Sequence, residues 1–336
     1  MRPIKPEELS ELKKWLAESL VRSDTDYMGD FLNLGAFQNV AGRWQGSTAV
    51  EIKELWGGFL GSDLPTGHFL SLYQHFPYCL SRCTFCVASA CVPPNREAIG
   101  RYVEDSLEEA RFFAPLFHGR TFRTWYVGGG TPSLLDAKSL RRWLGAIARL
   151  YSFEEDGLRT VELDPGSTTH EKLKVLKSLG INRLSFGVQT FSAEILQAVK
   201  RGYQNYPAVS RAIRWAQEAG FDFISTDLLL GLQGESAASF LESFRLLAAL
   251  RPTTISVYGL VLTSDYMRAT GLTRPGYHRS YKALHDEVKE GLSRLIVETR
   301  YKPVYFGPQK MWTFLAEEAP AGFMRDRYER FGSIGA

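Results

Sequence analysis

Short β-rich runs alternate with amphipathic helical patterns from residue 68 onward, and this alternation limits the folds open to the chain. Each run is followed by a segment with one apolar helical face. Strands that alternate with helices form parallel sheets, because a helix is the usual connection between parallel neighbours. The sequence therefore predicts an α/β fold with six strands, at 68–76, 123–130, 159–165, 183–189, 222–232 and 253–260.

Polar and glycine-rich positions favour a partial barrel over an open sheet. Cys79, the turn at 128–133, Glu162, Gln189 and Asp227 fall at or near the C-terminal ends of successive predicted strands. Barrel enzymes build their active sites at that end of the strands. We therefore predict a partial (β/α)6 barrel, and the expected domains are a helical N-terminal segment at 1–67, the barrel at 68–262 and a short C-terminal helical cap at 263–336.

Charge and hydropathy argue against two classes of partner. The chain has 40 Lys and Arg residues against 37 acidic residues, so its net charge of +3 gives no electrostatic argument for nucleic acid. No apolar run approaches the ~20 residues that span a bilayer, and the charged, amphipathic start is unlike a signal peptide. We expect a cytoplasmic protein without a nucleic-acid or membrane partner.

Three of the four cysteines, Cys79, Cys83 and Cys86, lie within eight residues after the first predicted strand. Such a cluster in a chain with few cysteines favours metal or redox chemistry over disulfides. A CxxxCxxC triplet can ligate three irons of a cubic cluster and leave the fourth iron open. The alternative is a zinc site that adds Cys91 or His75, although structural zinc sites usually take two ligand pairs that lie farther apart.

Several sequence blocks resemble one enzyme family. The cysteine triplet, with Phe85 before its last cysteine, resembles the signature of the radical S-adenosylmethionine (SAM) enzymes. Four blocks are similar, in the same order, to blocks of the oxygen-independent coproporphyrinogen III dehydrogenase group: "YQHFPYC" (73–79), "GGGTPSLL" (128–135), "FGVQTF" (186–191) and "DLLLGLQGES" (227–236). The resemblance covers about residues 68–262, which is the whole predicted barrel.

This resemblance implies a 4Fe-4S cluster on Cys79, Cys83 and Cys86, with SAM chelated at the open iron. An external electron donor such as flavodoxin or ferredoxin would trigger cleavage of SAM to a 5′-deoxyadenosyl radical. The implied cofactor-binding residues are Tyr73, Phe85, Gly129, Gly130, Thr131, Glu162, Gln189, Arg201 and Asp227. Glycines let the backbone approach a ligand, Glu162 or Asp227 would accept from ribose hydroxyls, and Arg201 would pair with a carboxylate.

Structural explanations stay open for some of these residues. The glycine run is also typical of a tight turn, Glu162 of a solvated strand end, and Arg201 of a charge that complements a helix dipole. Cys91 is interpreted as a plain buried cysteine rather than a radical relay. Aromatic residues near the C-terminus are interpreted as the core of the cap rather than as substrate contacts: Tyr305, Phe306, Trp312, Phe314 and Phe323.

The resemblance leaves the reaction open, since the group contains porphyrinogen decarboxylases, heme chaperones and class C methyltransferases. We find no HNxxYW-like block of the heme-handling relatives, and no basic cluster follows the predicted strands to bind a carboxylate-rich porphyrinogen. We therefore expect a class C-like C-methyltransferase that uses one or two SAM molecules on a small-molecule or carrier-bound substrate, in natural-product or modified-peptide biosynthesis. The alternatives are a coproporphyrinogen dehydrogenase relative and a heme-binding chaperone without turnover.

Overall fold

The computed structural model describes residues 48–61, 69–307 and 311–320. The chain divides into two compact units, Met1–Leu64 and Pro65–Ala336. In the first unit, helix α1 (Ala49–Leu60) begins after Thr48, which forms a capping box with Glu51. The rest of the predicted N-terminal helical segment, residues 1–47 and 62–67, lies outside the described residues.

The second unit is built on one sheet, in which the first six strands are neighbours in chain order and all parallel. The eight strands of this sheet are β1 (Leu70–Phe76), β2 (Thr121–Gly129), β3 (Ser152–Leu163), β4 (Arg183–Gln189), β5 (Phe223–Leu230), β6 (Thr254–Gly259), β7 (Tyr301–Gly307) and β8 (Met311–Ala316). All six predicted strands are present, so the predicted α/β fold is confirmed.

Helices lie between consecutive strands of the chain from β1 to β7. They are α2 (Arg96–Phe113), α3 (Ala137–Leu150), α4 (His170–Ser178), α5 (Ala193–Ala198), α6 (Tyr206–Glu218), α7 (Ala237–Ala249), α8 (Ser264–Thr270) and α9 (Arg274–Thr299). Side chains such as Asn95, Asp136 and Asn205 accept hydrogen bonds from the first turns of α2, α3 and α6. These caps fix where each helix begins after its loop.

The two faces of the sheet differ in chemistry, because successive side chains of a strand point to opposite faces. On one face, fully buried residues such as Val161, Leu184 and Phe186 belong to the hydrophobic core. Helices contribute to this core, as the contact between the Phe76 and Trp143 rings shows. The opposite face, here called the inner face, carries the alternating residues, many of which are polar.

The segment after β6 differs from the predicted helical cap. Helices α8 and α9 are present, but β7 and β8 follow them and extend the main sheet, with β8 antiparallel to both β6 and β7. Trp312 and Phe314 are buried against His285 of α9 and Phe244 of α7. Trp312 and Phe314 are therefore core residues, but of the main hydrophobic core rather than of a separate cap. Phe323 and the side chains of Tyr305 and Phe306 lie outside the described residues.

A search of the described helices finds none with the length and apolar character needed to cross a bilayer.

Candidate active site

The cysteine loop, defined here as residues 77–91, leaves the C-terminal end of β1 and is closed by its own backbone. The Cys79 N–H donates to the Cys91 carbonyl at 2.9 Å, and the Cys91 N–H donates to the Pro77 carbonyl at 2.8 Å. The three cysteines of the triplet are half-buried, but the Cys91 side chain is exposed. The interpretation of Cys91 as a buried cysteine is therefore wrong: its side chain is exposed, and its backbone closes the loop.

Two thiols of the triplet receive hydrogen bonds from other loops. The Thr131 hydroxyl donates to Cys79 Sγ at 3.3 Å, and Arg201 Nη1 donates to Cys83 Sγ at 3.6 Å. Burial raises the pKa of both thiols, and the hydrogen bonds from Thr131 and Arg201 lower it. Donors beside a desolvated sulfur favour its thiolate form, which is the form that binds metal.

The glycine turn after β2 is tied to the start of the cysteine loop. The Gly130 N–H donates to the Phe76 carbonyl at 2.6 Å, and the Thr131 N–H donates to the Tyr78 carbonyl at 2.8 Å. A Cβ on Gly130 would lie 2.6 Å from both of those carbonyl oxygens. The turn therefore requires glycine here, and its attachment places the Thr131 hydroxyl at Cys79.

His75 also links the glycine turn to the cysteine loop. Its Nε2 lies 2.8 Å from the Ser89 carbonyl and its Nδ1 lies 3.1 Å from the Tyr73 hydroxyl. Gly129 has a φ of +104°, and a Cβ there would lie 2.3 Å from the His75 ring. Both imidazole nitrogens therefore have partners in the protein, which does not fit the zinc ligand considered for His75.

Four of the predicted cofactor residues meet on the inner face below the glycine turn. The Tyr73 and Tyr126 rings stack with their centroids 6.0 Å apart, and the Tyr126 hydroxyl donates to Glu162 Oε1 at 2.6 Å. The Gly129 N–H donates to Glu162 Oε2 at 3.0 Å. On the next strands, the Ser185 hydroxyl donates to Asp227 Oδ2 at 3.1 Å, so a continuous polar row crosses from β1 to β5.

The two carboxyl groups of this row lie in a desolvated environment. Burial and, to a smaller extent, the nearby Glu162 raise the pKa of Asp227 to about 7, against the opposing effects of Arg183 and Ser185. Burial also raises the pKa of Glu162, against the hydrogen bonds from Tyr126 and Gly129. A ligand that donates hydrogen bonds to such carboxyl groups would stabilise their charged form. Glu162 is therefore part of the row and not a solvated strand end.

Arg201 follows α5 and points into the protein rather than along the helix axis. Its Nη2 lies 2.8 Å from Asp164 Oδ2, from the Gly187 carbonyl and from Gln204 Oε1. Its Nη1 faces Cys83, whereas its Nε is buried without a hydrogen-bond partner. This geometry replaces the surface helix-dipole explanation, and the buried Nε is a donor that a carboxylate ligand would satisfy.

Gln189 and Phe85, the remaining predicted residues, have different environments. Gln189 ends β4 in a left-handed conformation with φ of +70°, where the register between β4 and β5 shifts. A Cβ on Gly187 would lie 2.9 Å from the Gln189 Nε2, so the amide folds back over that glycine. Phe85 is partly buried against the hydrophobic core, a packing contact that positions the cysteine loop.

Sequence reasoning missed Tyr126, Asp164, Arg183 and Ser185. Because the side chains of a strand alternate between its two faces, counting in steps of two along each strand would have identified three of them. Tyr126 lies two residues before Gly128, and Arg183 and Ser185 lie four and two residues before Gly187, so all three share the inner face. Asp164 gave no such signal, because its role depends on Arg201, which is distant in the chain.

The described residues contain no group of three His, Cys, Asp or Glu side chains placed to hold one metal ion. The single-zinc alternative for the cysteine triplet therefore has no support from the geometry. Cysteine ligands of a cubic iron–sulfur cluster bind different irons, and their sulfurs do not converge on one ion.

Residues 73–247, more than half of the chain, match the family model of the Radical SAM superfamily. The chain is 32% identical over 189 residues to the oxygen-independent coproporphyrinogen III oxidase of Escherichia coli K12. It is 35% identical over 195 residues to the heme chaperone HemW of Lactococcus lactis. These matches cover 56% and 57% of this chain but 41% and 49% of the relatives, so the chain spans less than half the length of each.

Among solved structures, coproporphyrinogen III oxidase (HemN) from Escherichia coli is similar with a TM-score of 0.67 at 24% sequence identity. The similarity covers 77% of this chain and 58% of that chain, and at this identity it establishes the fold. The family match contains the cysteine triplet, the glycine turn and the carboxyl row of the inner face. The chain therefore belongs to the radical SAM superfamily, and its relatives are the coproporphyrinogen oxidases and heme chaperones of that superfamily.

Proposed function

We propose that the chain uses SAM to abstract hydrogen from a carboxylate-bearing side chain, in an oxidation of the coproporphyrinogen oxidase type. The observation that carries SAM binding is the polar row of the inner face, which is tied to the glycine turn through Glu162, and the coproporphyrinogen oxidases among the relatives support the type of reaction. The methyltransferase expected from the sequence finds no support among the relatives. The coproporphyrinogen III oxidases among the relatives favour the alternative considered in the sequence analysis, a coproporphyrinogen dehydrogenase relative.

The donor set of the cysteine loop fits a 4Fe-4S cluster. Cys79, Cys83 and Cys86 lie on one loop, and Cys86 is close enough to the other two thiols to raise the pKa of both. Thiolate-only donors suit iron–sulfur clusters. A cluster held by Cys79, Cys83 and Cys86 would supply the electron for SAM cleavage, and the resulting radical would be able to take hydrogen from an unactivated carbon.

The protein's own groups would position SAM and exclude water around it. Glu162 and Asp227 would accept hydrogen bonds from ribose hydroxyls, and the unpartnered Arg201 Nε would donate to the carboxylate of the methionine moiety. Tyr73, which is 54% exposed at the edge of the row, offers a ring surface to a ligand. An external one-electron donor such as flavodoxin or ferredoxin would reduce the cluster.

The expected reaction removes one hydrogen atom from the β-carbon of a propionate and then releases carbon dioxide. One further electron leaves the substrate radical for an external acceptor, and a vinyl group remains. The chemistry therefore needs no carbon from SAM, which separates it from methyl transfer.

Methyl-deuterated SAM distinguishes these reactions. We expect deuterium-free 5′-deoxyadenosine and a vinyl product from coproporphyrinogen III, formed by the anaerobically reconstituted protein with dithionite. Deuterium in 5′-deoxyadenosine together with S-adenosylhomocysteine would overturn the proposal in favour of methyl transfer. Stoichiometric heme binding without turnover would overturn it in favour of a chaperone, and the triple Cys→Ala variant controls for background cleavage.

A further inference from the structure

We infer that Asp164 and Arg201 form a charge pair that sets the reduction potential of a cluster bound at Cys83. The inference rests on the proposed function only in requiring that the cysteine triplet binds the cluster. It concerns neither the substrate nor the reaction. Asp164 and Arg201 would be positioning residues, since they act on the cluster through Cys83.

The pair is buried beside one sulfur. Arg201 Nη2 lies 2.8 Å from Asp164 Oδ2, and the two side chains are only 11% and 7% exposed. Arg201 Nη1 lies 3.6 Å from Cys83 Sγ. Charges in such a place are weakly screened by solvent, so each acts on its neighbours more strongly than a surface charge would.

The carboxylate is held in place from several directions. Asp164 Oδ1 accepts from the backbone N–H groups of Gly166 and Ser167 at 2.8 and 3.2 Å, and Oδ2 accepts from the Tyr203 hydroxyl at 3.0 Å. Because Asp164 is fixed, the guanidinium that it binds is fixed as well. Because the guanidinium is planar and its Nη2 is held by Asp164, its Nη1 is directed at the sulfur.

The electrostatic consequence has a definite sign for each partner. A positive charge or a hydrogen bond at a cluster sulfur stabilises the added electron, and a negative charge opposes it. In the native pair the two charges offset each other. Removing the carboxylate charge should therefore make the cluster easier to reduce, and removing the guanidinium should make it harder.

Asp164→Asn and Arg201→Gln test this prediction by titrating the reconstituted cluster and following its reduced form by electron paramagnetic resonance, without substrate. We expect the midpoint potential to rise in Asp164→Asn and fall in Arg201→Gln, each by an amount that changes the ratio of reduced to oxidised cluster about tenfold. The double variant, which restores neutrality, should lie between the two. Glu154→Gln is the matched control, because it breaks a similar ion pair of 2.9 Å with Arg123 at the other end of β3.

Each outcome decides the inference. Shifts of the same sign in both single variants would indicate a merely structural effect and overturn the inference, as would unchanged potentials in both. If one single variant binds no iron, its effect is read by comparing the double variant with the other single variant. The sign of that shift should be the one expected for the variant that bound no iron. If the wild-type protein binds no cluster, the proposed function fails and this inference fails with it, whereas a wild-type cluster with unshifted variants refutes the charge pair alone.

Discussion

Cys79 and Cys83 each receive a hydrogen bond from another loop, whereas Cys86 Sγ donates to the Ala88 carbonyl at 4.0 Å, within its own loop. The three sulfurs of the triplet are therefore not equivalent. The two that are tied to other loops also connect the site to the glycine turn and to Arg201. These connections give each cysteine a testable role.

Replacing Cys79, Cys83 and Cys86 together with Ala should abolish cluster binding, because the three irons would lose their protein ligands. Anaerobic reconstitution of the wild type should give about four irons per chain and a brown absorbance that the variant lacks. Cys91→Ala is the matched control and should keep its iron, because only the backbone of Cys91 contacts the loop. Iron loss in Cys91→Ala, or a zinc-containing colourless wild type, would contradict the assignment.

Asp227→Asn and Glu162→Gln should weaken binding of SAM and leave the iron content unchanged. Each variant keeps the shape of the side chain and removes the charge of a hydrogen-bond acceptor, so the expected cost is about 1.5–3 kcal/mol, or roughly 10- to 150-fold in affinity. Isothermal titration with the reconstituted proteins measures this difference. The exposed Glu155 of β3 provides the control Glu155→Gln, and equal affinities in all three variants would refute the roles of Glu162 and Asp227.

Stability of the ligand-free protein should fall as the pH rises from about 4 to about 7, partly because of Asp227. Its carboxyl group has a pKa of about 7 in the fold, against the ordinary value of 3.8. The unfolded state therefore binds fewer protons across this interval, and the free energy of unfolding decreases with pH. Asp227→Asn should have a higher urea midpoint than the wild type at pH 8 and a similar one at pH 4, and equal midpoints at pH 8 would contradict this reasoning.

Individual contacts were the least predictable part of the site. Glu162 and Asp227 could be placed because strand ends are visible in the sequence, but the Tyr126 hydrogen bond to Glu162 depends on strand register. Asp164 was unpredictable because its partner Arg201 lies on a different loop. Sequence patterns report local periodicity, whereas these contacts follow from how distant elements are brought together.

Among the elements, β1, β2, β4, β5 and β6 match their predicted positions within about two residues, because each is an apolar run bounded by turn residues. Strand β3 begins at Ser152, whereas the prediction began at 159, since "SFEEDG" carries charges that conceal an exposed strand start. Strands β7 and β8 were missed altogether. Gly307, the last residue of β7, and Pro308, which follows it in the sequence, are typical of an irregular tail.

Gly130→Ala should disrupt the link between the glycine turn and the cysteine loop. The new Cβ would lie 2.6 Å from the carbonyl oxygens of Phe76 and Tyr78, which are backbone atoms that cannot move independently. We expect loss of SAM binding and a lower melting temperature. Gly100→Ala is the control, because Gly100 lies in α2 with no atom within 4 Å of a new Cβ, and it should stabilise the helix by about 0.5–1 kcal/mol. Normal SAM binding by Gly130→Ala would contradict the tight turn.

At the scale of the whole molecule, the C-terminal strands are part of the main sheet. Phe314 of β8 is 1% exposed and packs edge-on against Phe244, with ring centroids 5.2 Å apart. Phe314→Ala should therefore cost about 3–5 kcal/mol of stability. Val297→Ala, at a position of α9 that is 76% exposed, should change stability by less than about 0.5 kcal/mol. Similar urea midpoints for the two variants would show that β8 does not support the fold.

The hydroxyl groups of the inner face bond to one another, as the pairs Thr124 with Ser71 and Thr254 with Ser225 show at 2.7 and 2.9 Å. The side chains that hold the second unit together lie on the opposite face, against the helices. Evolution can therefore exchange a hydroxyl pair for another matched pair without disturbing the packed layer. Substitutions at such pairs would therefore change the chemistry of the inner face at little risk to folding.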